Sequence, residues 1–286
     1  TVPRMNERDI ALLGANDRFF LLTGLLNRKD AISEWVYDRC REMEADPDDV
    51  IDLWSRGHYK SSIGTFAGNI QEIINDPEVT IGIFSITKKV SIPFLDQIKR
   101  ELESNVYLKR IYADVFWADP QNEAPTWSVD RGLVVKRKSN PKEATVEAHG
   151  LLDGLPTGRH FAILDYDDIV NETVVTQTGT DQIKKATIQW ELSRFLGVGG
   201  KTKRRYRGTR YHHGDPWAIM IDRGMRARVY PATHDGTMNG RPVFWSQEDW
   251  DKEKKNSRST VAAQMLLNPL AGEENTFSIE WLRPYE

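Results

Sequence analysis

Residues 50–62 have the sequence VIDLWSRGHYKSS, a short apolar run followed at once by a polar, basic loop. An apolar run of this length predicts a strand that is buried on both faces, as in a parallel sheet. Residues 63–74 then carry apolar side chains at helical spacing, ended by Asn75-Asp76-Pro77. The stretch therefore predicts a strand, a loop and a helix, the unit from which α/β sheets are built.

The loop contains Lys60 followed by Ser61, which is how the P-loop pattern G-x-x-x-x-G-K-[ST] ends. Trp54 and Tyr59 stand where that pattern has its two glycines. Backbone amides at the start of a helix still attract a polyphosphate, and Lys60 and Ser61 predict contacts with phosphates and Mg²⁺. Arg56 adds a second cation beside them. The alternative is an ordinary polar turn in which a serine caps the helix.

Asp165, Asp167 and Asp168 lie at the end of a second apolar run, residues 161–164. Anions gathered at the end of a strand repel one another, and a bound cation offsets that cost. In a P-loop NTPase such carboxylates orient Mg²⁺ and polarise the attacking water. The chain between Lys60 and Asp167 is long enough for the strands and helices of a nucleotide-binding sheet. The alternative is a solvent-facing acidic turn.

The remaining patterns predict an α/β fold with a mostly parallel central sheet and helices on both faces. Pro93 is expected to interrupt or delay a helix over 88–105. The other predicted elements are helices in the first 48 residues, at 180–196 and around 247–267, strands at 79–86, 133–135 and 201–211, and an extended tail at 276–285.

Composition narrows the class of protein. The 286 residues are 28% charged and 39% hydrophobic, with a formal net charge of −3, which excludes collagen-like, disordered and disulfide-stapled proteins. Cys40 is the single cysteine, so neither an intrachain disulfide nor a cysteine-based zinc site is possible. No apolar run approaches the roughly 20 residues that span a bilayer. These features predict a cytoplasmic protein without a membrane partner.

Residues 201–210 carry six lysines and arginines. This basic segment predicts either contact with the phosphates of DNA or nucleotide or a solvated strand and loop. His212, His213 and Asp215 follow it. They offer only a weak metal site, because no further ligand stands at a convincing spacing.

Four short segments resemble the large terminase subunit of tailed bacteriophages, the ATPase motor that packages DNA into procapsids. Residues 56–62, RGHYKSS, are similar to that family's degenerate phosphate loop, and residues 166–170, YDDIV, to its Walker B strand. Residues 208–211, GTRY, resemble its coupling motif, and residues 264–270, QMLLNPL, resemble its segment before the nuclease domain. The resemblance covers most of the chain after about residue 45.

The resemblance implies an ASCE-like P-loop NTPase fold with an ATPase core at 49–245, between a helical segment at 1–48 and a helical or linker segment at 246–286. It implies ATP hydrolysis coupled to translocation of double-stranded DNA. The implied partners are a portal protein, a small terminase subunit and further copies of the chain in a ring, in the host cytoplasm. Because the chain ends where the family's nuclease domain begins, we expect a motor without DNA-cutting activity.

The same resemblance implies roles for residues at matching positions. Mg²⁺ would be held by Ser61 and Asp167, and Asp168 would be the catalytic carboxylate. Asp165 is a competing assignment for the Walker B aspartate. The residues implied to bind ATP are Arg56, Gly57, His58, Tyr59, Lys60, Ser61 and Ser62.

Two further roles concern coupling and sensing. The resemblance implies that Thr209 senses loss of the γ-phosphate and passes it to the DNA-gripping surface, and that Arg56 senses phosphate within the same subunit. Arg131 and Arg159 are candidates for an arginine that acts on a neighbouring subunit.

Two other functions remain open at this point. A metal-dependent nuclease would use Asp165, Asp167 and Asp168 as ligands of two metal ions. A non-catalytic scaffold that binds DNA or the portal would retain a decayed P-loop, which the departures at Trp54 and Tyr59 favour.

Overall fold

The computed structural model describes residues 5–171, 179–256 and 261–269. These residues form one eight-stranded sheet in the order β3-β4-β5-β2-β6-β7-β1-β8, flanked by helices. The predicted α/β class is therefore confirmed. In chain order the strands are β1 (Val50–Trp54), β2 (Ile81–Ser85), β3 (Trp127–Ser128), β4 (Gly132–Leu133), β5 (Val146–Gly150), β6 (Ile163–Asp167), β7 (Lys203–Gly208) and β8 (Arg226–Tyr230).

The sheet is mostly parallel, as expected. All pairs from β5 to β8 are parallel, and the pairs that add β4 and β3 at one edge are antiparallel. Strands β1, β2 and β6 are buried at every residue, because helices cover both faces of a parallel sheet. Asp167 pairs with Arg207, and Leu53 pairs with Gly208. The carboxyl ends of β1, β6 and β7 therefore lie side by side.

The α-helices are α1 (Glu7–Asn16), α2 (Arg18–Phe20), α3 (Glu34–Ala45), α4 (Asn69–Asn75), α5 (Lys88–Ser104), α6 (Val106–Ile111), α7 (Pro120–Glu123), α8 (Gly179–Ser193), α9 (Pro216–Asp222) and α10 (Gln247–Asn256). Three π-helical segments, Leu21–Leu25, Ser62–Gly68 and Val261–Met265, accompany them. The helix predicted at 63–74 is thus present as Ser62–Gly68 continued by α4. Residues 257–260, within the helix predicted around 247–267, and the tail at 276–285 lie outside the described residues.

The expected interruption at Pro93 is wrong, because α5 runs through it from Lys88 to Ser104. Proline lacks one amide proton, so a single hydrogen bond of the helix is missing, while its φ is helical. The helix buries Leu95, Ile98 and Leu102 against the sheet side. This burial stabilises the helix by more than the missing bond costs.

The N-terminal helices pack on the same core as the sheet. Leu22, Val36 and Cys40 belong to one apolar cluster with Trp54 and Ile63. Helix α3 and the helix after β1 therefore enclose the end of β1, from which the polar loop leaves. Across the described ranges, none of the helices combines the length and the apolar character needed to cross a membrane.

Candidate functional site

A cavity of about 420 Å³ opens where β1, β6 and β7 end. Its wall is formed by the loop after β1, by Asp168 and Asn171 after β6, and by Thr209 and Tyr211 after β7. We call it the loop cavity. All the residues predicted to bind ATP, 56–62, line it.

Lys60 connects the loop after β1 with the aspartates at the end of β6. Its ammonium nitrogen lies 2.9 Å from Asp168 Oδ1 and 3.7 Å from Asp167 Oδ1. Lys60 is 8% exposed, and Asp167 is fully buried. Burial lowers the pKa of Lys60, but the carboxylates of Asp168 and Asp167 outweigh burial and hold the pKa above its ordinary value. The lysine is therefore charged at neutral pH and is the counter-ion of both aspartates.

Asp167 is the carboxylate that the sequence predicts as a Mg²⁺ ligand. Burial raises its pKa, although the charge of Lys60 and the nearby hydroxyls of Thr65 and Ser61 favour the ionised form. Its Oδ1 atom is buried and lies 3.7 Å from the Lys60 ammonium nitrogen. A buried carboxylate oxygen next to a serine hydroxyl is a hard ligand of the kind that Mg²⁺ prefers.

Backbone strain gathers around the loop cavity. Gly57, Tyr59 and Asp168 have φ values of 76°, 63° and 52°. For a residue with a side chain, this left-handed conformation costs on the order of 1–2 kcal/mol. Tyr59 stands where the P-loop pattern has a glycine, and its backbone has the positive φ that favours glycine. Strained residues of this kind cluster at functional sites.

The side chains of His58 and Tyr59 hold the loop from outside. The His58 ring stacks on Trp245 at 5.4 Å and meets Trp35 edge-on at 5.8 Å. Burial lowers the pKa of His58, which keeps the ring neutral at pH 7. The Tyr59 hydroxyl donates to the carboxylate of Asp30. His58 and Tyr59 can therefore contact a ligand in the cavity through their backbone amides, but neither contributes a positively charged side chain.

The C-terminal segment holds the start of the loop. The Arg56 amide donates to the Gln264 carbonyl at 3.2 Å, and Arg56 Nη1 donates to Gln264 Oε1 at 3.0 Å. The Ser55 hydroxyl donates to the Met265 carbonyl at 2.6 Å. Arg56, the cation expected to sense phosphate, is thus hydrogen-bonded to the segment at 264–270 that carries part of the family resemblance. Residue 270 of that segment lies outside the described residues.

A buried polar network lies beneath the loop cavity. Thr65 donates its hydroxyl proton to Asp167 Oδ2, and Arg207 Nε donates to the same hydroxyl oxygen at 3.1 Å. Arg207 also pairs with Asp165, to which Asn69 donates at 2.7 Å. All five residues are at most 1% exposed. The network neutralises Asp165 and fixes the orientation of Asp167.

Sequence reasoning missed Thr65, Asn69 and the inward role of Arg207. Ser61, Thr65 and Asn69 recur every four residues, and between 63 and 70 all other residues are apolar or glycine. Such spacing aligns side chains on one face of a helix. This polar stripe was the available signal for the two helix residues.

Both interpretations of the basic segment 201–210 are wrong for two of its arginines. Arg205 and Arg207 are 3% and 1% exposed, because alternate side chains of β7 face the interior. Arg205 pairs with Asp48 at 3.1 Å and with Glu72 at 2.5 Å, and Arg207 belongs to the network described above. Neither guanidinium is available to DNA or to solvent.

Asp165 and the histidine pair do not form a metal centre. Asp165 and Asp167 both lie outside the lining of the loop cavity, but Asp167 lies 3.7 Å from Lys60, whereas Arg207 balances the charge of Asp165. Asp215 accepts a hydrogen bond from Arg210 at 3.0 Å and caps α9. In the part of the chain that the structure describes, no group of three or more His, Cys, Asp and Glu residues is placed to hold a metal ion.

Thr209 and Trp54 meet at the wall of the loop cavity. The Thr209 hydroxyl donates to the Trp54 carbonyl at 3.2 Å. Trp54 replaces the first glycine of the P-loop pattern, and its side chain is fully buried in the apolar core. The departure from the pattern therefore leaves the loop cavity free of the indole ring.

Arg131 and Arg159 line a different cavity, of about 630 Å³, near the point where β5 and β6 begin. We call it the basic cavity. Arg159 pairs there with Glu147 at 2.8 Å. Neither arginine lines the loop cavity of its own chain.

Comparison with known proteins adds no family. A scan against family models finds no match for the chain, and a search of curated proteins finds none either.

Proposed function

We propose that this chain is the ATP-hydrolysing motor domain of a viral DNA-packaging terminase, with an ASCE-like P-loop NTPase fold. The resemblance to large terminase subunits supplies the setting. Double-stranded DNA would be translocated into a procapsid, with a portal protein, a small terminase subunit and further copies of the chain as partners in the host cytoplasm. The geometry of the loop cavity supports the chemical part of the proposal, Mg²⁺-dependent hydrolysis of ATP.

The observation that carries the proposal is the convergence of Lys60 with Asp167 and Asp168. Lys60 and Asp168 are 108 positions apart in the sequence, yet their charged groups lie 2.9 Å apart at one cavity. Burying Lys60 and Asp167, which are 8% and 0% exposed, costs several kcal/mol, which an ordinary capped turn has no reason to incur. A lysine, loop amides and the carboxylate of Asp168 line one cavity, with Asp167 beside the lysine, and these are the parts that phosphoryl transfer requires.

Each of these parts has a role in the proposed reaction. Lys60 and the loop amides bind the β- and γ-phosphates, which takes the lysine away from Asp168. The Asp168 side chain, 31% exposed at the cavity, then orients the attacking water and accepts its proton. Arg56 adds a cation on the phosphates. Ser61 and Asp167 would hold Mg²⁺, which neutralises charge on the phosphate oxygens.

The order of strands places Thr209 between the loop after β1 and the carboxylates at the end of β6. Strand β7 lies between β1, which leads into the loop, and β6, which ends at the carboxylates. Ligand sites in open α/β sheets are typically formed at the carboxyl ends of such strands. Thr209 follows β7, lines the loop cavity and donates to the end of β1. We therefore assign Thr209 the coupling role.

A two-metal nuclease has less support. Arg207 neutralises Asp165, and Lys60 neutralises Asp168, so the three carboxylates do not face one site. A scaffold with a decayed P-loop keeps the cavity but predicts no turnover, and the variants below separate it from the motor.

Lys60→Ala tests the phosphate assignment. We expect its affinity for Mg²⁺–ATP, measured by isothermal titration calorimetry, to fall at least ~100-fold, because charge-assisted bonds of about 1.5–3 kcal/mol each are lost. Lys89→Ala, which removes an exposed lysine of α5, should change affinity by no more than about twofold. Circular dichroism verifies that both variants are folded. Unchanged binding by Lys60→Ala would refute the assignment.

Asp168→Asn tests catalysis separately from binding. The amide cannot accept the proton of the attacking water, so we expect turnover to fall by about 10²–10⁴-fold while ATP affinity is retained. Phosphate release measures the rate. ATP binding without any turnover by the unaltered chain would favour the scaffold over the enzyme, and full turnover by Asp168→Asn would remove Asp168 from its role.

A further inference from the structure

The basic cavity lies at the opposite end of the sheet from the loop cavity. Residues 142–144 precede β5 and Arg159 precedes β6, whereas the loop cavity forms where β1, β6 and β7 end. Segments far apart in the sequence thus meet at one volume of about 630 Å³. The cations in its lining are Arg131, Arg137, Lys138, Lys142 and Arg159.

Most of these cations form no ion pair in the described part of the chain. Of the five, only Arg159 forms one with another described residue, Glu147 at 2.8 Å, while Glu78, Glu143 and Glu147 attract Arg137 at longer range. Glu143 is the single acid in the described lining. It is buried, and its carboxylate accepts from the His160 amide at 2.7 Å.

Arg137 is held in place and retains a free donor. Its Nη2 donates to the Glu143 carbonyl at 2.8 Å, which fixes the plane of the guanidinium. Its Nη1 is buried and has no hydrogen-bond partner among the described residues. A buried donor without a partner costs about 1–3 kcal/mol, so an acceptor that reaches the cavity would remove that cost.

We propose that the basic cavity binds a phosphate-bearing polyanion. The lining carries five cations and one acid, and four of the cations form no ion pair with a described residue, so their charge exceeds what one carboxylate ligand balances, whereas a multivalent anion offsets their mutual repulsion. Guanidinium groups match phosphate oxygens in geometry. The cavity volume of about 630 Å³ suits a nucleotide-sized group. The backbone of a nucleic acid and a free polyphosphate share this chemistry.

This site is independent of ATP hydrolysis. It uses none of the residues 55–62, 168 or 209 that line the loop cavity. The proposal can therefore be tested separately from the proposed enzyme. Binding is measured in a Lys60→Ala background, in which we expect the loop to bind phosphate far more weakly.

Lys138→Gln/Lys142→Gln is the test variant, because both lysines are exposed and unpaired in the described structure. Two probes are titrated, a short fluorescein-labelled DNA duplex and inorganic tripolyphosphate. We expect the Kd of the probe that binds to rise at least ~10-fold, and for the duplex the slope of log Kd against log salt to fall by about 2. Lys184→Gln/Lys185→Gln removes two exposed lysines of α8 and should change Kd by no more than about twofold.

The probes distinguish the source of the phosphate. Weaker binding of the duplex, with or without weaker binding of tripolyphosphate, assigns the cavity to a nucleic-acid backbone. Weaker binding of tripolyphosphate alone assigns it to a free polyphosphate. Binding of neither probe before the lysines are replaced, unchanged binding by Lys138→Gln/Lys142→Gln, or an equal loss in the control variant overturns the proposal.

Discussion

Thr65→Val removes one hydroxyl from beneath the loop cavity and keeps the shape of the side chain. Thr65 is fully buried. Its hydroxyl donates to the Asp167 carboxylate and accepts from Arg207 Nε at 3.1 Å. A valine leaves the Asp167 carboxylate and the Arg207 guanidinium without this hydrogen-bond partner at a position that water does not reach. The substitution therefore destabilises the folded state and not the unfolded state.

The magnitude follows from the two hydrogen bonds. Each bond to a charged group contributes about 1.5–3 kcal/mol, so we expect the free energy of unfolding to fall by about 3–6 kcal/mol. Thr65→Ser keeps both bonds and loses a methyl group, at a cost of about 1 kcal/mol. Thr187→Val is the matched control, because the buried Thr187 hydroxyl donates only to the neutral Ile183 carbonyl, at 3.0 Å. Its expected cost is about 0.5–1.5 kcal/mol.

Urea unfolding followed by circular dichroism measures these costs, and its pH dependence identifies the group responsible. The Thr65 hydroxyl favours ionised Asp167, whose pKa burial already raises. Removing the Thr65 hydroxyl therefore raises the pKa of Asp167 further. When the pKa of a carboxyl group is higher in the folded state than in the unfolded state, the protein loses stability as pH rises through the interval between the two values. The cost of Thr65→Val should therefore be larger at about pH 8 than at about pH 5. A cost no greater than that of Thr187→Val, or an equal cost for Thr65→Ser, would refute the reasoning.

Three further substitutions test the support of the loop. Burial lowers the pKa of His58, so the stability of the protein should decline as pH falls below about 6.5, where the unfolded histidine gains a proton. Melting curves across pH should show a shallower decline in His58→Gln. An equally steep decline in that variant would contradict the prediction. Gly57→Ala should cost about 1–2 kcal/mol in urea unfolding, because φ is 76° and the new β-carbon would lie 3.0 Å from Trp245; no change in midpoint would count against the strain. Gly64→Ala should cost about 1–3 kcal/mol, because its β-carbon would overlap Arg207; a neutral effect would show that the arginine can move aside.

Local sequence was sufficient for the elements that carry the site. The apolar run before the loop and the helical spacing after it are short-range signals, and they predicted β1 and the helix that follows. Phosphate and metal chemistry at strand ends was indicated by the chemical character of four side chains, Lys60, Ser61, Asp167 and Asp168. The carboxyl ends of parallel strands meet at one edge of a sheet, so this order of elements already predicted that the groups would approach one another.

Tertiary structure decided which charges face a ligand and which face one another. From the sequence, Asp165 was a candidate metal ligand and Arg207 a phosphate contact or a solvated group. The register of β7 against β6 instead turns them inward as partners, and a shift of one residue would reverse that. The positive φ of Tyr59 and the basic cavity likewise depend on segments distant along the chain. Charge pairing is set by distances across the fold, whereas spacing along a sequence determines distance only within one helix, strand or turn.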